Sequence, residues 1–185
     1  MGRPKALVRD DAGRAWVALA CGLLRDAGCD PVVVVLGAEA ATAAALVPDW
    51  ARVAVAEDWA DGMSASLRHG LDAVAATDAD AVLVTLVDLP AATTAAAGRV
   101  LAETGPAGAA ALARATYRGR PGHPVLIGRS HWPALRASLA GDAGAGRYLV
   151  EHHAVEVECG DLGGGDDVDV IRPTPRASGP AADSA

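Results

Sequence analysis

The sequence predicts an α/β protein with a mainly parallel sheet. Two short runs, Pro31 to Leu36 and Ala81 to Val87, are apolar and rich in valine, and turn residues bound each of them. Such runs are typical of strands that are buried on both faces. Segments with a helical spacing of apolar residues lie before, between and after these runs. Strands that alternate with helices form βαβ units, so this order favours a parallel sheet covered by helices.

The composition limits the class of protein. The 185 residues are 51% hydrophobic and 21% charged, which predicts one globular domain. The longest apolar stretch, Ala15 to Leu24, is shorter than the ~18 residues of a membrane span, and no apolar leader follows Met1. A net charge of -7 is the wrong sign for a nucleic-acid partner, and three cysteines without CxxC spacing fit a reducing compartment. We therefore expect a cytoplasmic protein that acts on small molecules, without a nucleic-acid or membrane partner.

Elements of the first half have recognisable ends. The first helix is expected to end at Gly28, a residue suited to the position after a helix C-terminus, and the second stops before Pro48. A third strand is expected at Arg52 to Ala56. The helices are expected at Arg14 to Ala27, Glu39 to Leu46 and Ser64 to Ala76.

The second half of the chain has a different pattern. Two strands, Ala109 to Tyr117 and His123 to Ile127, are expected around a turn-rich segment. Acidic and apolar residues alternate from Ala154 to Glu158, which predicts a strand at an exposed edge. Helices are expected at Ser130 to Leu139 and around Tyr148.

The chain divides into a domain, residues 1–171, and a tail, residues 172–185. The tail consists mainly of Pro, Ser, Ala and Gly and has no periodicity. This composition predicts disorder.

One candidate functional residue follows the most apolar run. Asp88 stands between that run and Leu89-Pro90. In open α/β sheets ligands bind beyond the carboxyl ends of the strands, and Mg²⁺ is typically held by one or two carboxylates together with substrate phosphates. Asp88 is therefore a candidate metal ligand, and the alternative is an ordinary turn residue at a strand end.

A second candidate site is the loop Glu57 to Leu67, which follows a strand and enters a helix. Gly62 allows a ligand to approach the backbone closely, and a helix N-terminus offers unpaired N–H groups. Ser64 and Ser66 are candidate nucleotide contacts. The alternative for Ser64 is a helix N-cap.

A third candidate is His123, the one histidine in a constrained turn, between Gly122 and Pro124. His69 lies within a predicted helix, where a structural role is expected. No Ser-His-Asp set is indicated, because the GxSxG pattern is absent.

The other polar clusters carry weaker signals. The glycine-rich segments 141–146 and 160–165 lack the spacing of phosphate-binding loops, so turns are expected there. His152, His153 and Cys159 lack a fourth ligand. An exposed strand edge is therefore a better interpretation than a zinc site.

Five short motifs, in the same order along the chain, resemble the MobA-like nucleotidyltransferases. Met1-Gly-Arg-Pro-Lys5 is similar to the second half of the signature that opens this family. The other four are Gly62-Met-Ser-Ala-Ser-Leu, Val87-Asp88-Leu-Pro90, Gly122-His-Pro-Val125 and Asp167-Val-Asp169. Each motif is weak alone, but together they are specific. Within the superfamily the sequence most resembles the molybdenum cofactor cytidylyltransferases.

The resemblance implies a Rossmann-like three-layer α/β/α fold that binds an NTP and Mg²⁺. It favours CTP over GTP, a phosphorylated acceptor such as molybdopterin, and a molybdenum hydroxylase as protein partner. Lys5 would contact the triphosphate, while Asp88 and Asp169 would ligate Mg²⁺. In such a transfer the acceptor phosphate attacks the α-phosphorus in line and pyrophosphate leaves, so positioning and charge neutralisation carry the rate.

The resemblance also implies the residues that bind the two substrates. Gly62, Ser64 and Ser66 would approach the base or ribose of the nucleotide. His123 would lie toward the acceptor.

The sequence departs from the family pattern at both ends. Met1 falls inside the signature, so the family's first strand and glycine-rich loop have no counterpart, and Val170-Ile-Arg-Pro replaces the start of its last helix. That strand is expected at the centre of the sheet. We therefore expect an unpaired interior between Pro31–Leu36 and Ala81–Val87, marginal stability, and Met1 as an internal methionine of a longer reading frame.

Two other functions are compatible with the sequence. A degenerate protein of the same fold, with a binding or accessory role and no transfer activity, is favoured by the missing loop. The retention of Lys5, Asp88 and Asp169 favours transfer instead. A dinucleotide-binding module lacks its glycine fingerprint here.

Overall fold

The computed structural model describes residues 4–103 and 105–165. The strands are β1 (Val33–Leu36), β2 (Arg52–Val55), β3 (Ala81–Val84), β4 (Leu112–Tyr117), β5 (Arg120–Gly128) and β6 (Val155–Glu158). The α-helices are α1 (Trp16–Asp26), α2 (Ala40–Ala44), α3 (Met63–Ala75), α4 (Thr94–Ala102), α5 (Trp132–Ser138) and α6 (Gly146–Glu151). This mixture of strands and helices confirms the α/β class. Asp169 and the predicted tail lie outside the described residues.

The strands form two sheets. β1 and β2 pair in parallel, and the second sheet has the order β3-β5-β4-β6. In the second sheet β5 runs antiparallel to both β3 and β4, while β6 is parallel to β4. This sheet is therefore mixed, whereas the sequence predicted mainly parallel pairing.

The hairpin between β4 and β5 explains the antiparallel pairing. Only Arg118 and Gly119 connect the two strands, and a connection this short can join only antiparallel neighbours. Both residues have positive φ angles, 55° and 73°, as a type I′ turn requires. The turn is therefore two residues long, shorter than the turn-rich segment that the sequence indicated.

Helices cover both faces of the sheets. Along β5, Val125 and Ile127 join a buried cluster with residues of α3, α5 and α6, while Leu126 joins a cluster with α4 on the opposite face. On β1, Val34 and Leu36 pack in a third cluster with residues of α1 and α2. The result is the expected helix, sheet, helix order of three layers.

Several boundaries agree with their local sequence signals. α1 is followed by Gly28 at φ 91°, whose N–H donates to the carbonyl of Arg25 at 2.9 Å. β6 lies at the edge of its sheet, as its alternating pattern predicted.

Helix α4 was not predicted from the sequence. Its signal is Thr93, whose hydroxyl accepts the N–H of Ala96 as an N-cap at the start of an alanine-rich stretch.

β3 is shorter than the apolar run that predicted it. It ends at Val84, opposite Val125 of β5, instead of at Val87. Beyond this pair β5 departs from regular pairing at Pro124, so within the described part of the chain no paired strand holds the residues after Val84 in register. This places Asp88 in a turn four residues past the end of β3.

Cys21, Cys29 and Cys159 are free, and burial raises the pKa of the Cys21 thiol to about 11. No helix within residues 4–103 and 105–165 is long and apolar enough to cross a membrane.

Candidate active site

A short turn at the beginning of the described chain positions Lys5. Lys5–Leu7 form a 3₁₀ turn in which the N–H of Leu7 donates to the carbonyl of Pro4 at 3.0 Å. Leu7 is buried in the cluster that α1 and β1 share. Its burial anchors the turn and thereby places Lys5, the only lysine of the sequence, beside the loop that follows β3.

Asp88 meets Lys5 at this place. The Nζ atom of Lys5 lies 3.4 Å from Oδ2 of Asp88, although 83 residues separate them in sequence. The two side chains are 22% and 27% exposed, so a ligand can reach both. Leu89, buried next to Asp88, anchors the turn that carries the carboxylate. An accessible cation and carboxylate past the end of a strand are suited to binding a phosphate group and a metal ion.

A bulge in β5 presents His123. The register between β5 and β4 shifts between Val125 and Pro121, so residues 122–124 lie outside regular pairing. The N–H groups of Leu126 and Gly128 face β4, and by alternation the next position facing β4 is Pro124, which has no N–H to donate. Such bulges re-aim side chains at functional sites.

Tyr117 contacts the first two residues of the Gly-His-Pro motif, Gly122 and His123. Its hydroxyl donates to the carbonyl of His123 at 2.9 Å. Its ring lies so close to Gly122 that a Cβ there would approach a ring carbon to 2.8 Å, so a larger residue would displace the ring. Sequence reasoning missed Tyr117, because no motif marks a tyrosine that acts through a contact across the hairpin.

The loop before α3 is fixed by a second loop. Gly62 has φ 111°, and a Cβ at this position would lie 2.6 Å from the carbonyl oxygen of Gly141. The N–H of Ser64 donates to this carbonyl at 3.1 Å. Gly62 is itself the N-cap of α3, so the N-cap interpretation of Ser64 is wrong.

The two serines of this loop have different surroundings. Ser64 is fully buried, and its hydroxyl has no hydrogen-bond partner within the described part of the chain. This burial argues against a direct contact between Ser64 and a nucleotide in the present conformation. Ser66 lines the large cavity described below, so it is accessible for the predicted contact.

Asp58, in the loop before α3, forms a hydrogen bond and an ion pair with side chains of α3. Asp58 lies 2.6 Å from Nε2 of His69 and 3.7 Å from a guanidinium nitrogen of Arg68. The hydrogen bond with His69 lowers the pKa of Asp58, with smaller contributions from the charges of His69 and Arg68. His69 therefore has the structural contact that its position in a helix predicted.

A cavity of about 1310 Å³ lies between these elements. Its walls include residues of α1, α3, β1 and β3, and both Ser66 and His123 line it. Arg118 and Arg120 also line it. Because β5 is antiparallel to β3, Arg120 at its beginning lies beyond the carboxyl end of β3 and adds positive charge there. Sequence reasoning missed Arg120, since an exposed arginine has no periodic signal.

The described residues contain no group of three or more His, Cys, Asp or Glu side chains that could hold a metal ion. Asp88 offers an accessible carboxylate beside Lys5. One carboxylate fits a Mg²⁺ ion that is shared with substrate phosphates, which supply the other oxygen ligands. The second predicted ligand, Asp169, lies outside the described residues.

Several known proteins are similar to this chain in sequence or in fold. Nicotine blue oxidoreductase of Paenarthrobacter nicotinovorans is 35% identical over 179 residues, which cover 92% of this chain and 86% of the relative. The crystal structure of Rv0371c from Mycobacterium tuberculosis H37Rv has a TM-score of 0.72 at 28% identity and covers 85% of this chain and 80% of that one. A complex of Rv0371c with manganese has a TM-score of 0.68 at 26% identity, over 84% of this chain and 79% of that one. The family model of the MobA-like NTP transferase domain matches residues 1–157, so this chain belongs to that family and has its Rossmann-like fold.

Proposed function

We propose that this chain transfers CMP from CTP to a phosphorylated acceptor such as molybdopterin and releases pyrophosphate. Membership of the NTP transferase family supports an NTP as the nucleotidyl donor. The observation that carries the assignment is the 3.4 Å contact between Lys5 and Asp88, which unites two distant motifs past the end of β3. The product would serve a molybdenum hydroxylase in the cytoplasm.

Lys5 and Asp88 would act on the triphosphate. The Lys5 ammonium binds phosphate oxygens of the nucleotide and holds the α-phosphorus in line with the acceptor. Asp88, with Asp169 as the proposed second carboxylate, would hold a Mg²⁺ ion that supplies positive charge to the phosphates. A bond forms between an acceptor phosphate oxygen and the α-phosphorus, and the bond from that phosphorus to the pyrophosphate breaks.

Two further regions would bind the substrates. The backbone at Gly62 and the hydroxyl of Ser66 lie at the N-terminus of α3, and we assign them to the base or ribose. His123, presented by the bulge in β5, is assigned to the acceptor. Ser64 is not assigned a direct contact, because it is buried.

The test is a transfer assay with α-labelled CTP or GTP, Mg²⁺ and molybdopterin. We expect a labelled product and pyrophosphate with CTP, a weaker signal with GTP, and no product without Mg²⁺. Amine labelling gives an independent readout, since Lys5 is the only lysine and CTP with Mg²⁺ should protect it. Binding of CTP without any transfer would favour the non-catalytic alternative, and the absence of nucleotide binding would refute both.

A second candidate function is a redox reaction. It is favoured by the 35% identity with a protein named nicotine blue oxidoreductase. The missing glycine fingerprint for dinucleotides counts against it. Reduction of a blue dye by the purified chain with a nicotinamide dinucleotide, without transfer of CMP, would favour this candidate over nucleotidyl transfer.

A further inference from the structure

Two adjacent glycines, Gly164 and Gly165, contact both parts of the candidate site. Gly164 lies against the turn that follows Asp88, and Gly165 lies against the ring of Tyr117. The sequence predicted only a turn in this glycine-rich segment. The contacts of the two glycines indicate that the segment also positions residues of the site.

A short 3₁₀ turn fixes the chain just before these glycines. Gly160–Leu162 form this turn, and the N–H of Leu162 donates to the carbonyl of Cys159 at 2.9 Å. Arg99 of α4 donates to both carboxylate oxygens of Asp161, at 2.6 and 2.9 Å. The segment therefore starts from a position that is held against α4.

Gly164 packs against the turn on the metal side of the site. Its φ angle is 86°, and an added Cβ would lie 2.5 Å from the carbonyl oxygen of Ala91. Ala91 follows Asp88 by three residues, and the N–H of Ala92 closes this turn onto the carbonyl of Leu89 at 3.0 Å. A side chain at position 164 would therefore push on the turn that carries Asp88.

Gly165 packs against Tyr117 on the acceptor side of the site. An added Cβ at Gly165 would overlap Cγ of the tyrosine ring and lie 2.8 Å from Cβ of Tyr117. The hydroxyl of the same tyrosine donates to the carbonyl of His123 at 2.9 Å. A side chain at position 165 would therefore displace the ring that holds the bulge of β5.

We infer that Gly164 and Gly165 set the positions of Asp88 and His123 relative to each other, with Tyr117 as the positioning residue on the acceptor side. In-line transfer requires the nucleotide and the acceptor at a near-attack distance, and a displacement of ~1 Å can lower the rate by ~100-fold. Adjacent glycines suit this role, because their backbone contacts both neighbours directly. The inference rests on the proposed function for the roles of Asp88 and His123.

Glycine-to-alanine variants test the contacts by NMR spectroscopy. Gly164→Ala should shift the amide signal of Asp88, and Gly165→Ala should shift the ring signals of His123. The matched control is Gly163→Ala, since Gly163 also has a positive φ, 70°, but an added Cβ there would meet nothing within 4 Å. This control should change both sets of signals much less.

Transfer kinetics provide a second readout. Gly165→Ala should raise the KM for molybdopterin by ~10-fold or more with little change in the Kd of CTP, whereas Gly164→Ala should weaken binding of CTP with Mg²⁺ by ~10-fold. These kinetic effects depend on the proposed function, but the NMR shifts do not. If the unmodified chain transfers no CMP, the proposed function fails and the NMR shifts alone decide the inference.

Tyr117→Phe isolates the role of the hydroxyl. This variant keeps the ring against Gly165 but removes the hydrogen bond to His123, so it should raise the KM for molybdopterin and shift the ring signals of His123. Tyr148→Phe is the matched control, because Tyr148 shares a hydrogen bond of 3.1 Å with His131 and neither residue lines the cavity. It should leave that KM and the His123 signals unchanged.

Two results would overturn the inference. One is a set of equal shifts in the Gly163→Ala and Gly165→Ala variants, which would indicate a general response of the loop. The other is an unchanged His123 signal in both Gly165→Ala and Tyr117→Phe, which would show that the tyrosine does not hold the bulge.

Discussion

Lys5 and Asp88 form the contact on which the proposed chemistry depends. Replacing Asp88 by Asn keeps the size of the side chain but removes the negative charge that a metal ion requires. We predict that Asp88→Asn lowers kcat by about 100-fold or more while the melting temperature changes little. The control is Asp49→Asn. Asp49 is an exposed carboxylate in the segment between α2 and β2, so this variant should retain activity. Full metal-dependent transfer by Asp88→Asn would contradict the assignment.

Lys5 gives a separate prediction about binding. A charge-assisted hydrogen bond contributes about 1.5–3 kcal/mol, so Lys5→Met should weaken CTP binding by about 10- to 100-fold. Lys5→Arg keeps the charge and should recover part of the affinity. Isothermal titration calorimetry with CTP and Mg²⁺ provides the measurement. Unchanged affinity in Lys5→Met would show that this ammonium does not touch the nucleotide.

Glu158 at the end of β6 predicts a pH dependence of stability. Hydrogen bonds from the N–H groups of Arg118, Gly119 and Gly160 lower its pKa from the ordinary value of 4.5. The carboxylate accepts from Arg118 at 2.9 Å and so closes the turn between β4 and β5. Because the folded pKa is lowered, the stabilisation is fully present above pH 4.5 and is lost as the pH falls through the folded pKa.

The corresponding variant is Glu158→Gln, which cannot carry the charge. It should lower the melting temperature at pH 7 and flatten the decline in stability between neutral and acidic pH. Glu57→Gln, at an exposed position, serves as the control. An unchanged acid profile in Glu158→Gln would rule out this carboxylate as the source of the pH dependence.

At the scale of elements, the start of α3 depends on a glycine. Gly62 has a positive φ of 111°, and an added Cβ would collide with the loop at Gly141. We predict that Gly62→Ala destabilises the fold by about 1–3 kcal/mol and weakens CTP binding, because the loop must shift. Gly22 lies within α1 with open space around it, so Gly22→Ala should stabilise by about 0.5–1 kcal/mol. Chemical denaturation of both variants measures this contrast, and equal effects would contradict it.

The hairpin of β4 and β5 determines where the acceptor side of the site lies. Its tight turn forces antiparallel pairing, and the bulge at Pro124 then lifts His123 from the sheet beyond the end of β3. Tyr117 fixes the backbone of this bulge through the carbonyl of His123. One element thus presents a histidine and Arg120 to the same cavity as Ser66.

At the scale of the molecule, the division into two sheets predicts uneven stability. One ladder of backbone hydrogen bonds joins β1 to β2, and helices pack on this pair. β2 is largely exposed, so it adds little buried surface. An isolated pair of strands is marginal, whereas four strands with helices on both faces form a stable unit. Native-state hydrogen exchange should therefore show opening of Val34 and Ala54 at lower denaturant than Leu126 and Ile127. Simultaneous opening of all four amides would show a single cooperative unit.

Much of the fold follows from local sequence patterns. The apolar runs at β1 and β3, the helical stripe of α1 and its closing Gly28 are determined by periodicity and backbone preference within a few residues. The same holds for Asp88, since a carboxylate after an apolar strand can be recognised without any tertiary contact. The motif order along the chain was sufficient to identify the family, which the family model confirms.

Contacts between residues distant in sequence decided the geometry of the candidate site and the end of β3. Lys5 reaches Asp88 because Leu7 is buried in the cluster that α1 and β1 share. The start of α3 is fixed by the hydrogen bond from the N–H of Ser64 to the carbonyl of Gly141, and β3 stops at Val84 where β5 bulges. Each outcome depends on a partner that is distant in sequence, and no local pattern encodes the identity of that partner. The sequence by itself determined the elements and the family, whereas the tertiary structure decided the mixed pairing, the separation of the sheets and which candidate side chains remain accessible.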